Sequence, residues 1–117
     1  MHEFSLIQAL LTQLETVVAE NNSRRISKVV VQIGDLRQCV PEILEFAFIN
    51  LALGTKAEGA QLVLEHIPVR AECKVCHREF VVQKKIFMCP HCQSTQLQLL
   101  SGKEFVLKAV ELEILCK

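Results

Sequence analysis

Residues 73–92 read Cys73-Lys-Val-Cys76-His-Arg-Glu-Phe-Val-Val-Gln-Lys-Lys-Ile-Phe-Met-Cys89-Pro-His-Cys92. Each C-x-x-C pair makes a tight knuckle whose two sulfurs point at one centre. The 12 residues between the pairs are enough for a short hairpin that brings the knuckles together. Four thiolates in a tetrahedron are a zinc site, with Zn–S near ~2.3 Å. All four ligands come from the protein, so no position is open to substrate and the site is structural. The metal would hold residues 70–102 folded, because their large apolar residues are few: Val75, Phe80, Val81, Val82, Ile86 and Phe87 lead them. Three rivals share the spacing. Iron on four thiolates makes an electron carrier. Two dithiol pairs make a thiol oxidoreductase, although two pairs at hairpin spacing favour a metal. A nucleic-acid zinc ribbon is the third, supported by Lys74, Arg78, Lys84 and Lys85 with Phe80 and Phe87; a solvated hairpin face explains the same charges. Zinc knuckles often place Gly after the second cysteine, where φ turns positive. Here His77 and Gln93 stand there.

Outward from this segment, the chain reads as alternating helix and strand. In residues 1–20, Leu6, Leu10, Leu14 and Val17 or Val18 recur at helical spacing, widened by Ile7 and Leu11. Ser5 and Gln8 have the spacing of a capping box, which would start the helix at Ser5 and leave residues 1–4 as a short free arm. Asn21, Asn22 and Ser23 end it. Lys28 to Ile33 is a β-branched strand closed by Gly34-Asp35, and residues 35–40 form a loop. Pro41, with Glu42 and Glu45, opens a second helix that runs to about Leu53 and stops at Gly54. That helix is apolar on nearly every side, so the pattern predicts cover on more than one face, with partner contact able to supply some of it. Residues 61–67 read as a strand and 104–115 as a long last strand. Its apolar residues change phase, from Phe105 and Leu107 to Val110, Leu112 and Ile114. Such a change marks a bulge or a strand serving two layers. The second reading has the first half leaning on the cysteine segment and the second half joining the main sheet.

The composition bounds the function. The chain has 117 residues and a mass of 13.2 kDa, one small domain or a domain with a subdomain. Thirteen basic and 13 acidic residues cancel, whereas a phosphate-contacting nucleic-acid binder usually shows a basic excess. Hydrophobic content of 50% against 22% charged excludes a disordered chain. No apolar run approaches the ~18 residues of a membrane-spanning helix, and no secretory signal opens the chain. The six cysteines are therefore expected to bind metal or do redox chemistry in the cytoplasm rather than form disulfides. No G-x-x-x-x-G-K-[ST] phosphate loop occurs.

Met1-His2-Glu3 is a second constellation. A terminal amine, the next amide nitrogens and an imidazole can wrap a small cation in one plane, which suits Ni²⁺ or Cu²⁺. His2 is bulky enough to hinder trimming of the initiator methionine. Taken alone, this is as well read as a frayed terminus with an idle histidine. The remaining candidates are bland ones. Cys39 and Cys116 read as small hydrophobes or idle thiols, and His66 as a surface histidine. His77 and His91 flank the thiolates, where they could replace a cysteine or hydrogen-bond sulfur and make the lobe sensitive to pH or nickel loading.

Taken in order, M-H-E-F-S-L at 1–6, V-V-V-Q-I-G at 29–34, P-E-x-L-x-F-A-F at 41–48 (with Ile43 and Glu45 at x) and the double C-x-x-C segment extend over nearly the whole chain. This order resembles the HypA/HybF family of hydrogenase nickel-insertion proteins. The resemblance implies an α+β fold: two helices on a three-stranded mixed sheet, with a zinc-ribbon-like lobe inserted before the last strand. Residues 1–69 plus 103–117 would be the nickel-binding lobe and 70–102 the zinc-binding lobe. It also implies a non-enzymatic nickel metallochaperone that delivers Ni(II) for [NiFe]-hydrogenase maturation, and in some organisms for urease. His2 would be the essential nickel ligand and Glu3 its neighbour, with the Met1 amine and backbone nitrogens available as further donors. Cys73, Cys76, Cys89 and Cys92 would hold structural Zn(II), while Ni(II) is transient cargo. The implied partners are the hydrogenase large subunit and an accessory GTPase. A homodimer stays open, and neither nucleic acid nor membrane is implied. Some members place a carboxylate in the loop after the first strand; here Asp35 and Glu42 flank that loop, and its middle has none. A shallow nitrogen-rich site on a mobile arm can release its cargo quickly, as a thiolate cage cannot. The alternative is a zinc-ribbon adaptor or nucleic-acid-binding module.

Overall fold

The computed structural model describes residues 2–21 and 23–114, without the side chains of residues 2, 23, 24 and 114. The Met1 amine, the His2 imidazole and Cys116 lie outside the described atoms, and so do the expectations that fall on them.

Helix α1 spans His2–Glu20. Its core stripe is Ile7, Leu10, Leu11, Leu14 and Val18, all buried, at the helical spacing the sequence shows. The start differs from expectation. Residues 2–4 are the first helical turn rather than a free arm, and Ser5 lies inside the helix as an exposed residue. Tertiary contacts explain the extension. Glu3 is buried, and its Oε2 accepts the Val40 N–H at 3.3 Å. The Phe4 ring meets Phe46 edge-on at 6.4 Å. At the other end, the Asn21 side-chain amide donates to the Val17 carbonyl at 2.8 Å, satisfying a last-turn acceptor.

Strand β1 spans Ser23–Gly34, longer than the β-branched run alone. Ile26, Val29, Val31 and Ile33 are buried. Cross-chain bonds draw the polar first half into the sheet: Ile26 N–H donates to the Lys56 carbonyl, and Ser27 Oγ donates to the Glu111 carbonyl. A short 3₁₀ turn, Asp35–Arg37, follows.

Helix α2 spans Pro41–Leu51, with Val40 as its N-cap and Gly54 beyond its end in the left-handed region (φ 80°). It packs on α1 through Leu44, Ala47 and Phe48, spaced three and four residues apart. Within this chain the expected cover on several faces is partial. Phe46, Ile49 and Leu53 are about three-fifths exposed, at 60%, 63% and 58%. One stripe seats this 11-residue helix, Ile43 and Leu51 are half-buried, and Phe46 and Ile49 face mostly outward.

Strand β2 spans Gln61–Ile67 and β6 spans Phe105–Ile114. The order is β2-β1-β6. The start of β1 lies beside the start of β2, where the Arg25 guanidinium donates to the Glu58 carbonyl, and Asp35 lies 3.5 Å from His66 at the other ends. β1 and β2 are thus parallel. β6 runs antiparallel to β1: Gly34 N–H reaches the Glu104 carbonyl, while Ser27 reaches Glu111. The sheet is mixed. Along β6, covered residues switch from 105 and 107 to 110 and 112, with Lys108 and Ala109 both exposed. The phase change is real, and the whole strand belongs to the main sheet.

Between β2 and β6 lies a second sheet, order β4-β3-β5, with β3 at Arg70–Cys73, β4 at Glu79–Val81 and β5 at Leu97–Ser101. Both pairings are antiparallel, with Ala71 opposite Phe80 and Leu99. The chain divides into two compact units. One is Met1–Gln32, Cys39–Glu65 and Phe105–Lys117; the other is Ile33–Gln38 and His66–Glu104. In the second unit Gly34 and Gly102 touch: a Cβ on Gly34 would lie 2.1 Å from the Gly102 carbonyl carbon.

Candidate metal centre

Cys73 ends β3, Cys76 follows in the turn, and Cys89 and Cys92 belong to the turn before β5. The two knuckles are built alike. His77 N–H donates to the Cys73 carbonyl at 2.9 Å, and Gln93 N–H to the Cys89 carbonyl at 2.8 Å. Cys73 N–H bonds the Arg78 carbonyl, and Cys89 N–H the Ser94 carbonyl, both at 2.9 Å. His77 and Gln93 have φ of 64° and 65°. These are the two positions where glycine is missing from the sequence, and the chain adopts the left-handed conformation there regardless.

The four sulfurs lie within 4.8 Å of one another. Cys73 Sγ is 3.5 Å from Cys92 Sγ, and Cys76 Sγ is 3.6 Å from Cys89 Sγ. A tetrahedron with metal–sulfur bonds of about 2.3 Å has edges of about 3.8 Å, so the donor set fits a four-thiolate zinc ion. Main-chain amides aim at the sulfurs: Val75 and Cys76 N–H at Cys73 Sγ, and His91 N–H at Cys89 Sγ, each at 3.4 Å. These amides are the functional groups that reading side chains alone passes over. Their effect is electrostatic. The Cys76 N–H, helped by that of Val75, holds the Cys73 thiol down to about 6 against the effect of burial. At Cys92 the Ser94 N–H pulls downward, but the Cys73 sulfur, burial and the Cys89 and Cys76 sulfurs together push the thiol up to about 12. Cys73 and Cys89 ionise more readily than a free thiol while Cys76 and Cys92 resist; a dication at the centre removes that conflict.

The surroundings show why the metal matters. Cys73 and Cys89 are fully buried, joined in this unit by Ile33, Val69 and Ala71. Val75, Val81, Ile86 and Phe87, the apolar residues expected to be scarce here, are exposed as well. The thiolate quartet is the centre of this core.

His77 and His91 do not ligate. His77 Nδ1 lies 3.8 Å from Glu72, and His91 Nδ1 lies 3.1 Å from the Arg78 guanidinium. His91 reaches sulfur through its main-chain amide alone. His66 faces Asp35 at the exposed end of β2. Cys39 is half-buried and forms no disulfide. Glu42 stands in the first turn of α2. Among the described residues, the quartet is the single group of three or more His, Cys, Asp or Glu side chains placed to share a metal.

A two-helix mixed sheet carrying a separate ribbon unit around four cysteines defines a small zinc-ribbon metalloprotein. Comparison with known proteins gives its family. Residues 1–112 match the family described as "Hydrogenase/urease nickel incorporation, metallochaperone, hypA", and the chain belongs to it. It is 41% identical over 114 residues to the hydrogenase maturation factor HypA of Aquifex aeolicus (strain VF5), covering 97% of this chain and 99% of that protein. It is 36% identical over 113 residues to the HypA of Desulfitobacterium hafniense (strain DSM 10664 / DCB-2), covering 97% and 99%. The solution structure of the Ni metallochaperone HypA from Helicobacter pylori is similar at a TM-score of 0.71 and 25% identity, covering 97% of this chain and 99% of that one. A second HypA solution structure matches at a TM-score of 0.73 and 26% identity, covering 96% of each.

Proposed function

We propose that this member of the nickel-incorporation family carries Ni(II) at its amino terminus, through His2 and Glu3 with the Met1 amine or backbone nitrogens as further donors. The unit containing α1 is the nickel lobe, and the ribbon unit is the zinc lobe, held by Cys73, Cys76, Cys89 and Cys92. One observation supports separating the two metals: every corner of the quartet is a cysteine, so the centre leaves no exchangeable position for cargo. Zinc, when bound, supplies a permanent cross-link. The chain's own residues do the rest. The amides of Val75, Cys76 and His91 hold the sulfurs in place. Glu3, next to His2 in the sequence, lies in the first turn of α1 with its carboxylate anchored on Val40.

In this reading the protein is a carrier and not an enzyme. It works in the cytoplasm, where thiols stay reduced. Its recipient is the hydrogenase large subunit, with urease as a second destination, and an accessory GTPase is its partner. The chain works alone or as a homodimer. Calorimetric titration of Ni²⁺ into zinc-loaded protein with a native amino terminus tests the site. About one Ni²⁺ is expected to bind the wild type and none to bind His2→Ala. Equal binding by both, or by neither, overturns the amino-terminal site.

A further inference from the structure

The turn between β4 and Cys89 carries five consecutive exposed residues, Lys84-Lys85-Ile86-Phe87-Met88. Ile86 is 55%, Phe87 38% and Met88 42% exposed. Three adjacent large apolar side chains facing water on a small soluble unit are a cost that folding alone does not require. Val75, 58% exposed, adds to this surface next to Cys76, whose sulfur lies 3.6 Å from that of Cys89. The backbone here is strained too. Lys84 and Lys85 are successive non-glycine residues at φ 54° and 59°.

The charges along this segment are mostly basic. Residues 74–88 hold Lys74, Arg78, Lys84 and Lys85 against a single carboxylate, Glu79. Glu79 is neutralised by Arg70, at 2.7 Å. Among the described residues, Lys74, Lys84 and Lys85 pair with no carboxylate. A chain of zero net charge thus concentrates unpaired cations beside an apolar ridge.

We propose that this turn is a docking surface for an acidic, apolar segment of a partner protein, which seats aliphatic or aromatic side chains on Ile86, Phe87 and Met88 and carboxylates on Lys84 and Lys85. Nucleic acid fits the same cations less well. Single strands are held by stacking on aromatic faces, and the only aromatic ring in the ridge is that of Phe87, while Phe80 is half-buried on β4. An apolar core enriched in residues such as Phe and Met is what a protein interface uses. The surface is independent of where nickel is held.

The test uses the zinc-loaded full chain, labelled for amide NMR. The probes are a peptide of about twelve residues alternating glutamate with leucine, the same peptide with glutamine for glutamate, and oligo(dT) of equal length. The acidic peptide is expected to shift amides of residues 74–88 and to bind at least about tenfold tighter than the glutamine peptide. Lys84→Glu with Lys85→Glu should remove that preference. Phe87→Ser should weaken the acidic peptide while the zinc content, read by atomic absorption, stays unchanged. Equal binding of the two peptides, shifts confined to other residues, or no binding overturns the proposal. Tighter binding of oligo(dT) overturns it in favour of a nucleic-acid surface.

Discussion

At the scale of single residues, the left-handed pair after the knuckles and the carboxylate of Glu3 have the clearest consequences. Gln93 holds φ at 65° with an L side chain, a conformation glycine adopts without strain. Gln93→Gly is therefore expected to stabilise the zinc-loaded protein by about 1 kcal/mol, measured by denaturant unfolding at saturating zinc. His77 has the same backbone but also faces Glu72, so its replacement loses a contact as well. Glu3 accepts the N–H of Val40, the N-cap residue of α2, and no side chain caps α2 from within. Its negative charge also sits in the first turn of α1, where the helix dipole favours it. Glu3→Ala is expected to lower unfolding stability by about 1 kcal/mol in nickel-free buffer. Glu3→Gln, which keeps an acceptor, should recover part of that loss. An Ala variant as stable as wild type would show that the Val40 contact contributes nothing. Histidine next to cysteine in sequence is no sign of ligation here: His91 acts through its amide and turns its ring to Arg78.

At the scale of elements, α1 was legible from its five-residue apolar stripe, and β1 from its β-branched run. Their lengths were not. A capping-box spacing at Ser5 is a local signal, and it loses to the tertiary contacts of Glu3 and Phe4 that continue the helix to His2. The polar start of β1 joins the sheet because β6 offers it partners, which composition cannot show. Helix α2 teaches the converse. Its apolar content implies burial, yet only the stripe of Leu44, Ala47 and Phe48 is fully covered, and Phe46 stays largely exposed despite its contact with Phe4. The end of β1 meets the turn after β5 through a contact of two glycine backbones, Gly34 and Gly102. Gly34→Ala would drive a Cβ into the Gly102 carbonyl group, and backbone cannot turn aside as a side chain can. The substitution is expected to destabilise by at least about 1–3 kcal/mol, read as a lower denaturation midpoint with unchanged slope. Wild-type stability would mean that this approach relaxes freely.

At the scale of the whole molecule, the two units are stabilised by different means. The unit of α1, α2 and the mixed sheet buries Ile7, Leu14, Ile26, Val29, Val31, Leu44 and Phe48, a conventional apolar core. The unit with the ribbon buries little besides Ile33, Val69, Ala71 and two cysteines of the quartet. Metal binding then supplies much of its folding free energy. Removing zinc with a strong chelator is expected to abolish amide-exchange protection across β3, β4 and β5, while α1 and α2 keep theirs. Loss of protection in both units together, or in neither, would contradict this division.

The sequence by itself determined the metal centre, the two helices and the strands of the main sheet. Thiolate geometry is set within four-residue knuckles, and helical and strand periods repeat within one element, so both are local properties of the chain. Tertiary structure alone decided where α1 begins, which face of α2 is covered and how far β1 extends. It also decided that β6 keeps to one sheet, and that His77 and His91 turn away from the sulfurs. Each of these depends on a partner distant in sequence, such as Val40 for Glu3, Glu111 for Ser27 or Gly102 for Gly34. No local pattern encodes those pairings; they arise when the elements pack.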